Sequence, residues 1–178
     1  FFGSRIIAER EKFLAYLGGI VKKIHASLTD QGEQIELTYE PDTTGEEFLE
    51  ALKAARDKDT HIKTTTVGPH RDDFAIRVNG IDIRKFGSQG QQRTAALSIK
   101  LSEIEILKQK TKDTPILLLD DVLSELDSNR QNYLLKSISH IQTLITCTGL
   151  DDFIEHHFPI HQVYEVVSGH VTERKQEE

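Results

Sequence analysis

Residues 115–121 of the chain read Pro-Ile-Leu-Leu-Leu-Asp-Asp. A run of large aliphatic residues that ends in two carboxylates is typical of a strand buried on both faces, with its acids at the carboxyl end. Because burying charge is costly, such a strand usually delivers its carboxylates to a cleft or a cation, as the Mg²⁺-holding Asp of phosphate-binding α/β proteins does. The alternative is a core strand followed by an acidic turn and a helix cap, and the strand alone does not decide between the two.

Two polar segments flank this strand, Ser88-Gln89-Gly90-Gln91-Gln92 before it and Ser124-Glu125-Leu126-Asp127 after it. The first puts a hydroxyl and a glycine at the predicted start of a helix, where free backbone N–H groups and the helix dipole favour an anion. The glycine also permits close backbone approach. Considered alone, an N-cap followed by a polar first turn is the simpler explanation.

In this order the three segments resemble the signature motif, Walker B strand and D-loop of ABC-type ATPase heads. Residues 119–127, together with Gly68-Pro69-His70-Arg71-Asp72-Asp73, are most similar to the RecF family of recombination and gap-repair proteins. The resemblance is specific over residues 68–148 and looser over the first 60. It implies an α/β fold: the C-terminal part of a P-loop NTPase head with a mainly parallel sheet at residues 61–178, and part of a helical and β arm domain at residues 1–60.

The resemblance also implies a role for each segment. Ser88, Gln89, Gly90 and Gln91 would reach the γ-phosphate of an ATP molecule bound by the other subunit of a homodimer. Ser124 and Asp127 would belong to the D-loop, with Asp127 lining the dimer interface.

Asp120 would hold Mg²⁺ through water, because Mg²⁺ dehydrates reluctantly, and Asp121 would orient or deprotonate the attacking water. Most ABC heads carry Glu at the second position, and Asp is one methylene shorter, so we expect slow hydrolysis. Thr146 and Thr148 lie where ABC heads carry a switch His. The lack of that His also argues against fast hydrolysis.

No G-x-x-x-x-G-K-[ST] phosphate loop occurs in the chain. We therefore expect no tight ATP binding or hydrolysis by these 178 residues alone. For the complete protein the resemblance implies ATP-dependent dimerisation on DNA at single-strand gaps and their junctions with duplex, with RecR as partner, RecA loading as outcome and a place in the SOS response. The alternatives are another ATPase head of the SMC or Rad50 kind, which the short segment before Gly68 disfavours, and a non-catalytic interaction module.

The net charge of −7 is unevenly distributed. Residues 1–60 sum to −4, residues 61–112 to +5 and residues 113–178 to −8. A basic middle segment could face phosphates on an acidic protein, although a solvated mixed surface explains the charges as well.

The composition bears on the type of protein. The absence of Met suggests a piece of a longer protein, the single Cys excludes an internal disulfide, and no apolar run approaches a membrane span. We expect a cytoplasmic protein.

Hydrophobic periodicity predicts the remaining elements. Helices are predicted at residues 4–29, with a kink or a close helix contact at Gly18-Gly19, and at 46–57, 88–110, 126–140 and 151–157. Strands are predicted at residues 34–39, 62–67, 74–78, 115–120, 143–147 and 163–167, with a frayed tail from residue 173. Asn79-Gly80 predicts a type I′ hairpin turn. The inner face of the predicted helix 88–110 should carry Leu97, Leu101, Ile104 and Leu107.

Three smaller features have competing explanations. Cys147 is predicted to be a buried, inert thiol because it follows an apolar segment. His156, His157 and His161 with Asp151 and Asp152 could form a metal site, but adjacent His residues on a helix point in different directions, so we do not favour one. His70-Arg71 beside Asp72-Asp73 is either a functional basic pair near the nucleotide or a salt-bridged turn.

Overall fold

A computed structural model describes residues 2–148 and 160–174. The chain divides into two compact units, Phe1–Pro115 and Ile116–Glu178. This division is one of packing, and the boundary between arm and head near residue 60 stays a prediction. Among the helices of the described residues, none combines the length and the apolar character that crossing a membrane requires.

The first unit consists of helices and one antiparallel sheet. Its elements are α1 (Phe2–Leu28), β1 (Ile35–Glu40), α2 (Phe48–Ala54), α3 (Arg56–Ile62), a 3₁₀ turn (Pro69–Arg71), β2 (Asp73–Val78), β3 (Ile81–Asp82), α4 (Ile83–Phe86) and α5 (Gln89–Thr111). The sheet order is β1-β2-β3, with Ile35 opposite Val78 and Val78 opposite Ile81. Asn79 and Gly80 both have positive φ, 50° and 80°, which confirms the predicted type I′ turn.

Helix α1 packs its apolar seam against β1 and α5. Ile7, Val21 and Leu28, which lie at multiples of seven positions from each other, are buried together with Leu17. The helix runs without interruption through Gly18 and Gly19. The expected close helix contact at these glycines is wrong, and the kink stays a prediction. A Cβ on Gly18 would lie 3.9 Å from the Leu37 Cβ of β1, so this face of the helix meets a strand.

Helix α5 buries a row of small hydroxyl side chains beside its aliphatic ones. Thr94, Ser98 and Ser102 are fully buried, and each hydroxyl donates a 2.7 Å hydrogen bond to the carbonyl four residues earlier. Because these side chains are small and their hydroxyls already have a hydrogen-bond partner, α1 can pack closely against α5. Leu97 and Leu101 are buried as predicted, whereas Leu107 is 46% exposed and does not belong to the inner face.

Two predicted elements between β1 and β2 are wrong. Residues 46–57 form parts of two short helices instead of one, and residues 62–67 form no strand. Lys63 adopts left-handed backbone angles and ends α3. The Asp59 carboxylate then accepts hydrogen bonds from the Thr66 N–H (3.1 Å) and hydroxyl (2.6 Å), which folds the β-branched segment back onto α3.

The second unit contains β4 (Leu117–Asp120), a 3₁₀ turn (Leu123–Glu125), α6 (Ser128–Ile138), β5 (Thr143–Thr146), β6 (Val163–Val167) and β7 (His170–Arg174). Strands β4 and β5 are parallel, with Asp120 opposite Thr146. Helix α6 begins at Ser128 instead of Leu126, because Asp127 caps it. The antiparallel hairpin β6-β7 was not predicted, and it takes in Glu173 and Arg174, which were assigned to a frayed tail.

The prediction that β4 is buried on both faces is wrong for this chain. Leu118 is 72% exposed and the preceding Ile116 is 61% exposed. Within the described residues β4 pairs only with β5, whose Leu144 is also exposed. Cys147, just beyond β5, is exposed as well, contrary to its predicted burial. The predicted helix 151–157 and the His156-His157 pair lie outside the described residues.

Candidate functional site

The segment 88–92 forms the first turn of α5, and Ser88 is its N-cap. The Gln91 N–H donates to the Ser88 hydroxyl (3.2 Å), and the Ser88 N–H donates to the Gln91 side-chain carbonyl (3.1 Å). This reciprocal capping box fixes the entry of the chain into the helix. The N-cap predicted from the sequence is confirmed.

The capping box leaves the backbone N–H groups of Gln89 and Gly90 for another acceptor. No described residue accepts from either group, both residues are exposed, and the first turn carries no acidic side chain. A Cβ on Gly90 would find its nearest neighbour, the Ser88 hydroxyl, 3.9 Å away. The helix therefore offers two donors and open space to an anion.

The side-chain amide of Gln91 also connects the first turn of α5 to α1. Its nitrogen donates to Glu33 Oε1 (2.9 Å), and Glu33 Oε2 lies 3.3 Å from His25 Nε2. His25 is fully buried, with Nδ1 2.9 Å from the Ser98 hydroxyl. Neither the motifs nor the hydrophobic periodicity of the sequence predicts this network. Its only signal was the spacing of His25 from Val21 and Leu28, which places it on the buried face of α1.

At the end of β4, the Asp120 carboxylate accepts a 2.5 Å hydrogen bond from the Thr146 hydroxyl. The same hydroxyl oxygen accepts from the Asp121 N–H at 3.0 Å. Thr146 thus touches both acidic residues, which is the closest association among the predicted site residues. Thr148 is exposed and has no hydrogen bond to another described residue.

Asp121 leaves the strand with a left-handed backbone, φ 51°. Its carbonyl accepts from the Ser124 hydroxyl (2.8 Å), which closes the turn after β4, and its side chain is exposed. A carboxylate at this place is free to act on a solvent-side ligand.

Asp127 is the N-cap of α6. Its carboxylate accepts from the Arg130 N–H (3.1 Å) and forms an ion pair with the Arg130 guanidinium. The hydrogen bond from the Arg130 N–H is the largest cause that holds the pKa of Asp127 below its ordinary value. The structure therefore gives Asp127 a capping function, and its place at a dimer interface stays a prediction.

The Gly68–Asp73 motif forms a salt-bridged corner. The buried Asp72 carboxylate accepts from Arg10 Nη1 (2.9 Å), from the Asp42 N–H (3.1 Å) and from the Tyr39 hydroxyl. Burial raises the pKa of Asp72, but these hydrogen bonds outweigh it and hold the pKa below the usual value. Burial, and then the hydrogen bond to Asp72, raise the pKa of Tyr39 to about 12.

The two basic residues of this motif do not make its ion pairs. His70 Nε2 lies 2.9 Å from the Thr65 carbonyl, and Asp73 pairs with Arg84 through two hydrogen bonds. The turn is therefore salt-bridged through Arg10 and Arg84 and not through its own basic pair, and a role of His70 and Arg71 near the nucleotide stays a prediction.

No group of three or more His, Cys, Asp or Glu side chains is arranged for a metal ion within residues 2–148 and 160–174. Asp120 supplies one carboxylate at the end of a parallel strand. That is compatible with Mg²⁺, which proteins commonly bind through one or two carboxylates together with phosphate oxygens and water.

The chain is similar to bacterial proteins over almost its whole length. It is 52% identical over 170 residues to the DNA replication and repair protein RecF of Lachnoclostridium phytofermentans, covering 96% of this chain and 47% of the relative. It is 47% identical over 177 residues to RecF of Clostridium acetobutylicum, covering 97% of the chain and 49% of the relative. The chain spans about half the length of these relatives. A scan against models of protein families finds no match.

Solved structures show the same relation. The recombination mediator protein RecF with ATP, described as part of the RecFOR pathway, matches with a TM-score of 0.81 at 34% identity, covering 98% of this chain and 48% of that one. An SMC ATPase matches with a TM-score of 0.55 at 16% identity, a likeness of fold alone. The fold is accordingly that of the C-terminal part of an ABC-type head. The chain belongs to the RecF family and corresponds to the C-terminal half of its members.

Proposed function

We propose that this chain is the part of an ATP-dependent DNA repair protein that closes over ATP bound by a second subunit. The observation that carries the proposal is the first turn of α5: a capped helix end with the N–H groups of Gln89 and Gly90 exposed and no acidic neighbour in the turn. A γ-phosphate is an anion of the size and charge that such an end favours. Solved structures of RecF with ATP support the same ligand.

Residues at the end of β4 would serve the nucleotide held by their own subunit. Asp120 would hold Mg²⁺, which supplies charge neutralisation to the phosphates when bound. The Thr146 hydroxyl orients Asp120 by donating to one of its oxygens, and this leaves the other oxygen for the ion or its water. Asp121 would accept a proton from the attacking water or orient it.

The exposed apolar face of β4 and β5 supports a larger sheet in the complete protein. Leu118 and Leu144, side by side in register, are 72% and 57% exposed. Burial of the part of these two side chains that is still exposed would stabilise the protein by roughly 2–4 kcal/mol. We infer that the half of the relatives that this chain does not cover packs here and supplies the phosphate loop.

The biological setting follows from the relatives. We propose that the complete protein dimerises with ATP, binds DNA at junctions of single and double strands in recombinational repair, and acts with RecR in the cytoplasm. The names of the relatives and the RecFOR setting of the solved structures support this proposal. The basic charge of residues 61–112 is compatible with it.

The test is Ser88→Arg in the full-length protein. A long cation at the closing surface should abolish ATP-dependent dimerisation and hydrolysis together. Monomer affinity for ATP should stay unchanged, because the phosphate loop and Asp120 bind the nucleotide of their own subunit. Light scattering with and without ATP, nucleotide titration and a melting curve measure the three quantities. Loss of the cap should cost only ~1 kcal/mol of stability.

Ser27→Arg is the matched control, since Ser27 is an exposed serine in the last turn of α1. It makes the same chemical change away from the site and should dimerise normally. A Ser88→Arg protein that still dimerises with ATP would show that Ser88 is only a helix cap, as in the non-catalytic module considered from the sequence.

A further inference from the structure

We propose that Glu33 and His25 are positioning residues that hold the 88–92 segment in place through Gln91. The inference rests on the proposed function of that segment. Glu33 lies in the connection between α1 and β1, and His25 lies in the last turns of α1. Neither residue belongs to the motifs recognised in the sequence.

The connection runs from the buried face of α1 to the N-cap of α5 through one ion-pair contact and two hydrogen bonds. His25 Nε2 lies 3.3 Å from Glu33 Oε2, and Glu33 Oε1 accepts from Gln91 Nε2 at 2.9 Å. The other end of the same Gln91 amide accepts from the Ser88 N–H at 3.1 Å. The Gln91 side chain therefore cannot rotate without losing either the capping box or Glu33.

The hydrogen-bond directions at His25 indicate where its protons lie. The Ser98 hydroxyl donates to the Thr94 carbonyl (2.7 Å), so its oxygen is left to accept from His25 Nδ1 (2.9 Å). With a hydrogen on Nδ1, the opposite nitrogen faces a Glu33 carboxylate oxygen. The 3.3 Å contact of these two atoms is an ion pair when the ring carries a second proton. His25 is thus hydrogen-bonded at Nδ1 and faces Glu33 with Nε2, inside a site with no exposed surface.

This arrangement has a consequence for the two donors left for an anion. The conformation of the first turn of α5 determines the direction of the Gln89 and Gly90 N–H groups. Gln91 stabilises that conformation through the capping box with Ser88. A partly buried, charge-assisted contact to Glu33 (23% exposed side chain) restrains Gln91 more firmly than solvent could. The C-terminal turn of α1, the 29–34 connection and the first turn of α5 should therefore behave as one unit.

Two variants of Glu33 separate hydrogen bonding from charge. Glu33→Ala removes the acceptor of Gln91 and the partner of His25. Glu33→Gln keeps an oxygen for Gln91, and its amide N–H can meet a neutral His25 ring. Glu103→Ala is the matched control, because Glu103 is an exposed carboxylate of α5 that pairs with Lys100 of the same helix (3.1 Å).

The first measurement is amide hydrogen exchange of Ser88 and Gln91 by NMR in the 178-residue chain. Loss of a charge-assisted hydrogen bond corresponds to about tenfold in an equilibrium, so Glu33→Ala should exchange about tenfold faster at both amides. Glu33→Gln should stay close to the unmodified chain, and Glu103→Ala should match it. Equal exchange in Glu33→Ala and Glu103→Ala would overturn the proposal.

The second measurement is ATP-dependent dimerisation of the full-length protein, expected to weaken about tenfold in Glu33→Ala with unchanged monomer affinity for ATP. A general loss of stability would lower both quantities and leave Glu33→Gln no better than Glu33→Ala, which would contradict a positioning role. The proposed function has its own test: it fails if the Ser88→Arg protein dimerises normally with ATP, whatever the Glu33 variants do. Faster exchange in Glu33→Ala would then still establish Glu33 as the residue that positions the helix end.

Discussion

Replacing Asp72 with alanine should destabilise the first unit more than replacing Asp73, the other carboxylate of the Gly68–Asp73 motif. The Asp72 side chain is 2% exposed and accepts hydrogen bonds from Arg10, Tyr39 and the Asp42 N–H, which belong to three separate parts of the chain. Alanine leaves all three donors without this acceptor.

The magnitude follows from the number and exposure of these bonds. A hydrogen bond to a charged group contributes about 1.5–3 kcal/mol. Arg10 is 46% exposed and regains water, so its share is small. The two remaining bonds give a loss of about 3–6 kcal/mol, close to the cost of breaking a buried pair by removing one partner. For a unit of this size such a loss lowers Tm by about 12–24 °C.

Thermal unfolding followed by circular dichroism measures the change, and Asp73→Ala is the control. The hydrogen bond from Arg84 holds the pKa of Asp73 at about 2, and this shift alone would suggest that Asp73 contributes strongly to stability. Asp73 is however 52% exposed and its partner 60% exposed, so solvent screens the pair. We expect a much smaller loss for Asp73→Ala. A loss as large as that of Asp72→Ala would refute the reasoning from burial.

The remaining predictions concern the site and pH. Asp121→Asn in the full-length protein should lower ATP hydrolysis by ~10²–10⁴-fold while ATP binding survives, and a parallel loss of binding would assign Asp121 to the metal or to folding. Thr146→Val removes the donor to Asp120 and should weaken Mg²⁺-dependent ATP binding about tenfold in a Mg²⁺ titration, with binding in the absence of Mg²⁺ unchanged. Because the pKa of Tyr39 is raised, its contribution to the free energy of unfolding is complete below pH ~10 and is lost as the pH rises to about 12. Tyr39→Phe should lack that alkaline loss, and a pH dependence identical to that of the unmodified chain would exclude Tyr39 as its source. The contribution of Asp72 to stability depends on pH in the opposite direction, because its pKa is lowered. It should be complete above pH ~4 and disappear as the pH falls, and Asp72→Ala should lack this acid loss.

Local chemistry allowed the elements around the site to be predicted from the sequence. The Asn79-Gly80 turn needs two positive φ angles, and few residue pairs adopt them so readily. Ser88 begins a helix because its side chain caps the N–H of Gln91. Both outcomes depend on residues within four positions of each other, where sequence patterns are most informative.

The predictions that failed depended on partners distant in the chain or outside it. Four aliphatic residues predicted a strand covered on both faces, but the surface that would cover Leu118 is not among the described residues. The contact between Gln91 and Glu33 joins positions 58 residues apart, and it exists because small hydroxyl residues let α1 approach α5. The segment 62–67 has the composition of a strand, yet a nearby carboxylate, Asp59, competed for its backbone N–H. None of these outcomes is visible in hydrophobic periodicity.

The left-handed backbone of Asp121 limits which side chains this position tolerates. With φ at 51°, most residues place Cβ too close to the backbone, whereas Asp and Asn are several-fold enriched there. A longer acid such as Glu would gain reach toward a water molecule but lose this conformational compatibility. Natural variation at this position should therefore favour Asp, Asn and Gly for as long as the turn through Ser124 keeps its geometry. The short carboxylate, from which we expect slow hydrolysis, is then the side chain that this backbone conformation favours.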